Sequence, residues 1–386
     1  MPVRLREGTP AHRIYVTAAW LVVVVVVVYI PLATTIGWTP AGIDTVARIS
    51  QLNNLMAYAI AILGLNVVIG FSGQLSLGQS AFVGLGAYTT VILVGDHHWS
   101  YFSAMAASAL ISLVAGLLIG LPATRIRGVY LAIVTLVIAF VFPELVLRFA
   151  WLTGGSNGKS PPRTEAKVRS PSWMPFSDTG RLAGPLWVYC ILAVVTAASF
   201  LLARNAIRSR VGRALIAMRD NEASAATMGI NVALYKASAF AVSALFGGLA
   251  GSMLMMNRAF ASTVLFDMQV ALFLVAGLVM GGTGILSGSI AGAFAYLFVP
   301  YFVTAWTFDQ SGMPPVLRQV TAPLFTALKP GGSGAIGIVF GVALIVLMFV
   351  LPGGFASGAR RLRARLVQVE PRPRWLRERD REVVRE

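Results

Sequence analysis

The feature that most constrains this chain is a series of apolar stretches, each about 20 residues long, which is the length that an α-helix needs to cross a bilayer. Because lipid offers the backbone no hydrogen-bond partners, each stretch is predicted to be a helix, including the one that contains seven consecutive valines. Ten stretches are predicted, at 14–37, 50–70, 74–94, 101–121, 128–149, 185–203, 236–257, 268–285, 286–306 and 335–352.

The composition agrees with a membrane protein. Charged residues make up 12% of the chain, about half of the share in soluble domains, and 57% of the residues are hydrophobic. A soluble fold of this length could not bury so much apolar surface and keep a polar exterior. The predicted fold is therefore an all-α integral membrane protein, a polytopic helical bundle of about ten transmembrane helices.

The net charge of +16 is explained by membrane topology, so no nucleic acid is needed as a partner. Ten spans place four segments, which hold 21 of the 31 basic residues, on one side of the membrane: 1–13, 122–127, 204–236 and 360–386. Short cytoplasmic loops are enriched in lysine and arginine, so this side is predicted to be the cytoplasm. We expect a cytoplasmic N-terminus (1–13), a membrane domain (14–352) with an outer loop (150–184) and a cytoplasmic loop (204–235), and a basic cytoplasmic tail (353–386) in contact with the lipid bilayer.

Glycine and serine interrupt two long apolar regions, 50–94 and 268–306, which are therefore predicted to contain broken or re-entrant helices. The interruptions at Gly70–Gly78 and Gly281–Gly288 are alike, one in each half of the chain. Paired interruptions are typical of a transport pathway, although two glycine-rich segments can also be alike through composition alone. The predicted pathway residues are Asn66, Gly73, Gln74, Ser76, Gln79, Gly281, Gly282, Thr283, Gly284 and Ser287.

No set of residues predicts chemistry on this chain. Gly154–Ser160 resembles a phosphate-binding loop, but Thr153 replaces a required glycine and two prolines follow instead of a helix. His97 and His98 are adjacent and supply two metal ligands at most, whereas a closed site needs four. We therefore expect no catalytic residue, no metal and no bound cofactor.

The cytoplasmic loop at 204–235 contains a predicted amphipathic helix that ends near Gly229. A helix of this kind lies on the lipid surface or docks in a groove of a partner protein. Because charges of both signs occur close together at 219–222, docking on a protein is favoured over binding to anionic lipid.

Four blocks of the sequence resemble the LivM-like permeases of branched-chain amino acid ATP-binding-cassette importers, whose close relatives include urea and amide permeases. The blocks are Gly64–Tyr88, Arg127–Gly158, Gly212–Lys236 and Gly281–Gly288, and they lie within about residues 50–350. The presence of several motifs in one order makes the resemblance specific.

The resemblance implies a type II-like importer permease fold in the bacterial cytoplasmic membrane. The implied partners are a second, LivH-like permease subunit, two LivG/LivF-like ATPase subunits that hold ATP and magnesium, and an extracytoplasmic substrate-binding protein. It also identifies the amphipathic helix as a coupling helix that contacts the ATPase, with the residues Gly212, Arg213, Leu215, Met218, Arg219, Asp220, Asn221, Glu222 and Gly229. We expect the charges of Arg213, Arg219, Asp220 and Glu222 at the ATPase interface.

The sequence does not identify the transported substrate, because it departs from the family pattern. Gln79 stands where many relatives have histidine, and Phe142-Pro143 interrupts the segment before Glu144. Urea, short amides or organic acids are alternatives to branched-chain amino acids. In a different class, a passive channel or an ion-driven secondary transporter would need no ATPase, but few ionisable residues lie mid-span to carry an ion. A membrane scaffold without transport would make the paired interruptions accidental.

Overall fold

The computed structural model describes residues 46–124, 128–162 and 182–308, the short segments 3–6, 353–358 and 367–370, and the single residues 126, 168, 171 and 341. The chain forms two compact units, residues 45–356 and residues 1–44 with 357–386. In the second unit, strand β1 (Val3–Arg6) pairs in parallel with strand β2 (Val367–Glu370), and Val3 lies opposite Val367.

The described part of the first unit is built from helices. Its membrane-length helices and the short helices between them are α1 (Val46–Asn66), which continues as a π-helical turn (Val67–Phe71), α2 (Gln79–His97), α3 (Tyr101–Ala123), α4 (Val129–Arg148), α5 (Ala150–Thr153), α6 (Ala183–Arg208), α7 (Arg210–Asp220), α8 (Glu222–Thr227), α9 (Val232–Arg258), α10 (Met268–Gly281) and α11 (Leu286–Phe308). Two 3-10 turns lie at Gly155–Asn157 and Thr263–Phe266.

Eight of the ten predicted stretches coincide with described helices, and six of these helices are long and apolar enough to cross a membrane. The stretches at 14–37 and 335–352 lie outside the described residues, apart from residue 341. The second described stretch becomes helical at Gln79 and not at residue 74, which fits the predicted interruption at Gly70–Gly78. Gly73 has a φ of +73°, which turns the backbone out of the preceding helix.

The helices α1 and α9 form the centre of the bundle, and neighbouring helices approach them closely through glycine. A Cβ atom at Gly86 of α2 would overlap the backbone of Gly248 in α9, and one at Gly116 of α3 would overlap the side chain of Ala244. The small-residue faces of these helices therefore pack within the chain.

The helices α3 and α4 lie at the periphery of the bundle. Their exposed side chains are large and apolar, among them Leu110, Leu118, Tyr130 and Phe140. So much exposed apolar surface is expected where helices contact lipid. Trp99 and Trp151 are exposed near one end of this surface, and tryptophan is enriched at membrane interfaces.

Successive long helices run in opposite directions, so α7 and α8 lie at the end of the bundle where α1, α3, α6 and α10 finish. We call this the α7 end. At the opposite end, α2, α4 and α9 finish, and the loops after α4 and α9 meet in an isolated bridge between Lys159 and Ala261.

Candidate functional site

The helix α7 packs its apolar side onto the bundle. Its buried residues are Gly212, Ala214, Leu215 and Met218. Leu215 and Met218 share a hydrophobic cluster with Val68 of the π-helical turn and with Phe240 of α9. The predicted amphipathic helix therefore rests on the first interrupted segment of the chain.

The prediction of one helix that continues to Gly229 is wrong, because the chain bends at Asn221. The backbone of Asn221 is extended, with φ −157° and ψ 108°. Its Oδ1 accepts a hydrogen bond from the backbone N–H of Ser224 at 2.9 Å, and this contact begins α8. Gly229 has a φ of +83° and follows the end of α8, near the predicted position.

An ion pair joins α8 to α9. The Nζ atom of Lys236 lies 2.9 Å from Oε1 of Glu222, and the lysine side chain is 8% exposed. A buried ammonium group is costly unless it is paired, so Glu222 stabilises the position of Lys236. This pair is not among the residues predicted from the sequence, although a lone lysine at the start of a predicted span indicates that a carboxylate lies nearby.

Arg219 of α7 contacts both interrupted segments. Its Nη1 donates a hydrogen bond to the carbonyl oxygen of Gly70 at 3.0 Å. A Cβ atom added at Gly73 would lie 2.8 Å from Cγ of Arg219, and one added at Gly284 would lie 3.4 Å from Nη1 of Arg219. Its Nε and Nη2 atoms also donate to Oδ1 of Asp220, at 3.1 and 2.9 Å. One side chain therefore links α7 to the two interruptions.

Asn66, at the end of α1, joins the two interrupted segments to each other. Its Oδ1 accepts a hydrogen bond from the N–H of Gly284 at 2.9 Å, and its Nδ2 donates to the carbonyl of Ile285 at 2.9 Å and to Oγ of Ser289 at 3.1 Å. A Cβ atom at Gly70 would overlap both Oδ1 of Asn66 and the backbone N of Gly284. We call Asn66, Gly70, Gly284 and Ser289 the junction.

The first interruption turns back into the bundle. The non-helical residues 72–78 lead to Gln79, whose Nε2 donates to the carbonyl of Ala61 at 3.0 Å, more than a turn before the end of α1. Within this segment, the N–H of Leu77 donates to Oγ1 of Thr135 in α4 at 2.9 Å. The helix α2 therefore starts inside the bundle, as a broken helix does.

Three predicted pathway residues are buried around this segment. Gln79 also accepts a hydrogen bond from Oγ of Ser243 at 3.0 Å, so its side chain ties α2 to α1 and α9. Gln74 donates to Oγ of Ser72 at 2.6 Å, while its Oε1 has no partner among the described residues. Ser76 is buried. Gln79 thus takes part in packing, whereas Gln74 retains an unused acceptor.

The second interruption is a tight turn between α10 and α11. A Cβ atom at Gly281 would overlap the carbonyl oxygen of Gly288, and Gly282 has a φ of +109°. Thr283 and Ser287 are exposed and lie away from the junction contacts. The residues of the prediction that the structure brings together are Asn66, Gly73, Gly284 and Arg219.

The other side of α7 and α8 is exposed. Its exposed residues include Val211, Arg213, Ala217, Asp220 and Asn221. Of the four charges predicted at a partner interface, Arg213, Arg219 and Asp220 are exposed, and Glu222 is partly buried. Arg219 and Glu222 also contact other parts of the same chain. The element formed by α7 and α8 therefore has one side on the bundle and one side available to a partner.

The described residues contain no group of three or more histidine, cysteine, aspartate or glutamate side chains that could hold a metal ion. In the segment that resembles a phosphate loop, Lys159 donates to the carbonyl of Leu152 at 2.7 Å and pairs with Asp96. No helix begins at this lysine, so the segment lacks the helix N-terminus that binds phosphate.

Comparisons with known proteins identify the family of the chain. Residues 47–328 match the family described as "Branched-chain amino acid transport system / permease component". Two curated relatives, from Salmonella typhimurium (strain LT2) and Escherichia coli (strain K12), are described as high-affinity branched-chain amino acid transport system permease protein LivM. Each is 34% identical to the chain over 242 aligned residues. The alignment covers 59% of the chain and 57% of the length of each relative. No solved structure matches the chain.

Proposed function

The chain belongs to the branched-chain amino acid transport system permease family, and from that premise we propose that it is a membrane subunit of an ATP-binding-cassette importer. As a multi-pass permease it is a transporter component rather than an enzyme. In this proposal it forms half of the pathway for branched-chain amino acids, and separate cytoplasmic ATPase subunits bind ATP with magnesium and hydrolyse it.

The observation that carries the proposal is the contact of Arg219 with the junction. The helix α7 has an exposed side for a partner, and Arg219 on the same helix bonds to the carbonyl of Gly70 at 3.0 Å. A displacement of α7 therefore acts directly on the first interrupted segment. Since a partner shifts a conformational equilibrium only by binding one state more tightly, the ATPase must prefer one position of α7.

The junction serves as the inner gate of the pathway in this proposal. Three hydrogen bonds of Asn66 hold the two interruptions together in the state described here. When the segments separate, water or substrate can replace these partners, so the net cost of each bond is about 1 kcal/mol. A gate of this kind opens when the ATPase shifts α7, without unfolding any helix.

Membership of the family supports the remaining partners of this proposal. A LivH-like subunit supplies the other half of the pathway, LivG/LivF-like ATPases dock on the exposed side of α7 and α8, and an extracytoplasmic binding protein delivers the substrate. The arginine-rich segments support a cytoplasmic location of the α7 end and of both termini. The pairing of β1 with β2 supports the placement of the two termini on one side of the membrane.

Uptake by cells tests the proposal. The chain is produced with its ATPase, second permease and binding protein in a bacterial strain that has no other uptake of leucine, isoleucine and valine. We expect uptake of labelled leucine that disappears when the catalytic glutamate of the ATPase is replaced by glutamine. Uptake that continues without ATP hydrolysis would indicate a channel or an ion-driven carrier. Uptake of urea, acetamide or succinate but not leucine would contradict the proposed substrate.

A further inference from the structure

At the end opposite α7, a polar network joins the first turns of α1 to the last turn of α9. We call its members, Ser50, Asn53, Asn54, Asn257 and Arg258, the asparagine cluster. Nδ2 of Asn257 donates to O and Oγ of Ser50 and to Oδ1 of Asn54, each at 3.0 Å. Nδ2 of Asn53 donates to Oδ1 of Asn257 at 3.1 Å. Asn257 therefore uses every polar atom of its side chain within the cluster.

The rest of the cluster keeps polar groups that these contacts do not use. Nε of Arg258 donates to Oδ1 of Asn54 at 3.3 Å, while its two terminal nitrogens have no partner among the described residues. The amide nitrogen of Asn54 also donates to no described residue, although Asn54 is only 8% exposed. The side chain of Arg258 is exposed to solvent. An accessible guanidinium fork thus lies next to a nearly buried amide donor.

This set of donors fits a carboxylate. The planar fork of arginine pairs with the two oxygens of a carboxylate through parallel hydrogen bonds, which a lysine cannot reproduce. Asn54 is itself fixed by Asn257, so the Nε bond to Asn54 Oδ1 orients the guanidinium group before any ligand arrives. Urea and short amides carry no negative charge and would gain less from this group.

An aromatic pair lies next to the cluster on its inner side. Tyr58 follows Asn54 by four residues and so lies on the same face of α1, one turn deeper. Its ring is 4.4 Å from the ring of Tyr296 in α11, and Arg258 is close enough to Tyr296 to interact with it electrostatically. Tyr58 is buried, so the two rings form an apolar floor beneath the cluster and not an open wall.

We propose that Arg258 and Asn54 bind the carboxylate of a small aliphatic amino acid at the outer mouth of the pathway. The inference rests on the proposed function and names the residues that bind the carboxylate of its substrate. It also accounts for an exposed arginine at the end of the bundle that the charge pattern assigns to the outside.

The test uses the complete transporter in proteoliposomes with saturating binding protein, and measures leucine transport and ATP hydrolysis in the same sample. The variants are Arg258→Gln and Arg258→Lys. The matched control is Arg148→Gln, which removes an exposed arginine from the last turn of α4 at the same end of the bundle. We expect leucine transport to fall about tenfold or more in Arg258→Gln and less in Arg258→Lys, with ATP hydrolysis kept in both and no change in Arg148→Gln.

Transport at the native rate by Arg258→Gln would overturn the inference. Equal losses of transport, ATP hydrolysis and thermal stability in both Arg258 variants would also overturn it, because Arg258 would then only stabilise the end of α9. A transporter whose native form moves no leucine with ATP would instead contradict the proposed function, so the two failures are distinguishable.

Discussion

The two ends of α1 are held by different kinds of contact. At the α7 end, Asn66 bonds mainly to backbone groups of the second interruption, and Gly70 lies against Gly284 with no side chain between them. At the opposite end, the side chains of Asn53 and Asn257 bond to each other and bridge α1 to α9. The first kind of contact depends on close backbone approach, whereas the second depends on paired amides.

The difference indicates which end can separate. Asn66 is as fully buried as Asn53, but most of its partners are backbone groups between glycines, which a small shift can expose to water. In the asparagine cluster, amide side chains of both helices bond to each other, so separating them leaves several polar groups unsatisfied at once. We therefore expect α1 and α9 to stay joined at the asparagine cluster while the junction opens and closes.

The largest expected effect comes from removing the attachment of α8 to α9. In Glu222→Gln, Lys236 loses the carboxylate that pairs with it at 2.9 Å. Leaving a buried charge without its partner costs about 3–5 kcal/mol, so we expect little folded complex. The amount of monodisperse complex in fluorescence-detected gel filtration measures this loss. The double variant Glu222→Gln/Lys236→Met is the control, and failure of the added Lys236→Met to restore folding would contradict the role of the pair.

A smaller effect is expected from crowding the junction. In Gly70→Ala, the new methyl group would overlap Asn66 and Gly284, and overpacking costs about 1–3 kcal/mol. Because this cost falls on the state with a closed junction, we expect leucine uptake to drop about tenfold to a hundredfold. Gly95→Ala is the control, since a Cβ atom there would lie 3.3 Å from Cα of Pro161 and needs only a small shift of that neighbour. Equal uptake by the two variants would show that the junction is not packed as described.

The smallest effect is expected at the asparagine cluster. Asn257→Ala removes its contacts with Ser50, Asn53 and Asn54, and interhelical hydrogen bonds in membrane proteins contribute about 0.6 kcal/mol each. We expect a loss of about 1–2 kcal/mol in stability, seen as a lower Tm of the purified complex. The ratio of leucine transported to ATP hydrolysed should fall less than in Arg258→Gln, because Asn54 loses the contact that fixes it while Arg258 keeps its guanidinium group. An unchanged Tm would contradict the role of these hydrogen bonds in joining α1 to α9.

Much of this fold is predictable from the sequence. Apolar stretches of membrane length are a strong signal, because lipid tolerates only helices with satisfied backbones, and eight of the stretches coincide with described helices. The interruption at Gly70–Gly78 is also visible, since glycine and serine stop an apolar run. The exact start of α2 at Gln79 is not predictable, because it depends on contacts of that side chain with Ala61 and Ser243.

The candidate site is only partly predictable, because it too depends on contacts between residues far apart in the sequence. Asn66 and Gly284 are recognisable as unusual residues in apolar regions, but their contact joins positions 218 residues apart. The prediction that Arg219 faces a partner protein misses its bond to Gly70, since an amphipathic pattern gives the side of a helix and not the reach of a long side chain. The asparagine cluster likewise joins residues whose distance along the chain exceeds 200.

The most direct test of the account is the number of leucine molecules transported per ATP hydrolysed by the complete transporter carrying Arg219→Met. Methionine keeps much of the side-chain volume and removes the hydrogen bond to Gly70. Arg148→Met is the matched control, because it removes an exposed arginine at the end of the bundle away from α7. We expect Arg219→Met to hydrolyse ATP but to transport at least about tenfold less leucine per ATP, a coupling loss of about 1.4 kcal/mol or more, while Arg148→Met keeps the native ratio. A native ratio in Arg219→Met would contradict the claim that α7 acts on the junction through this arginine.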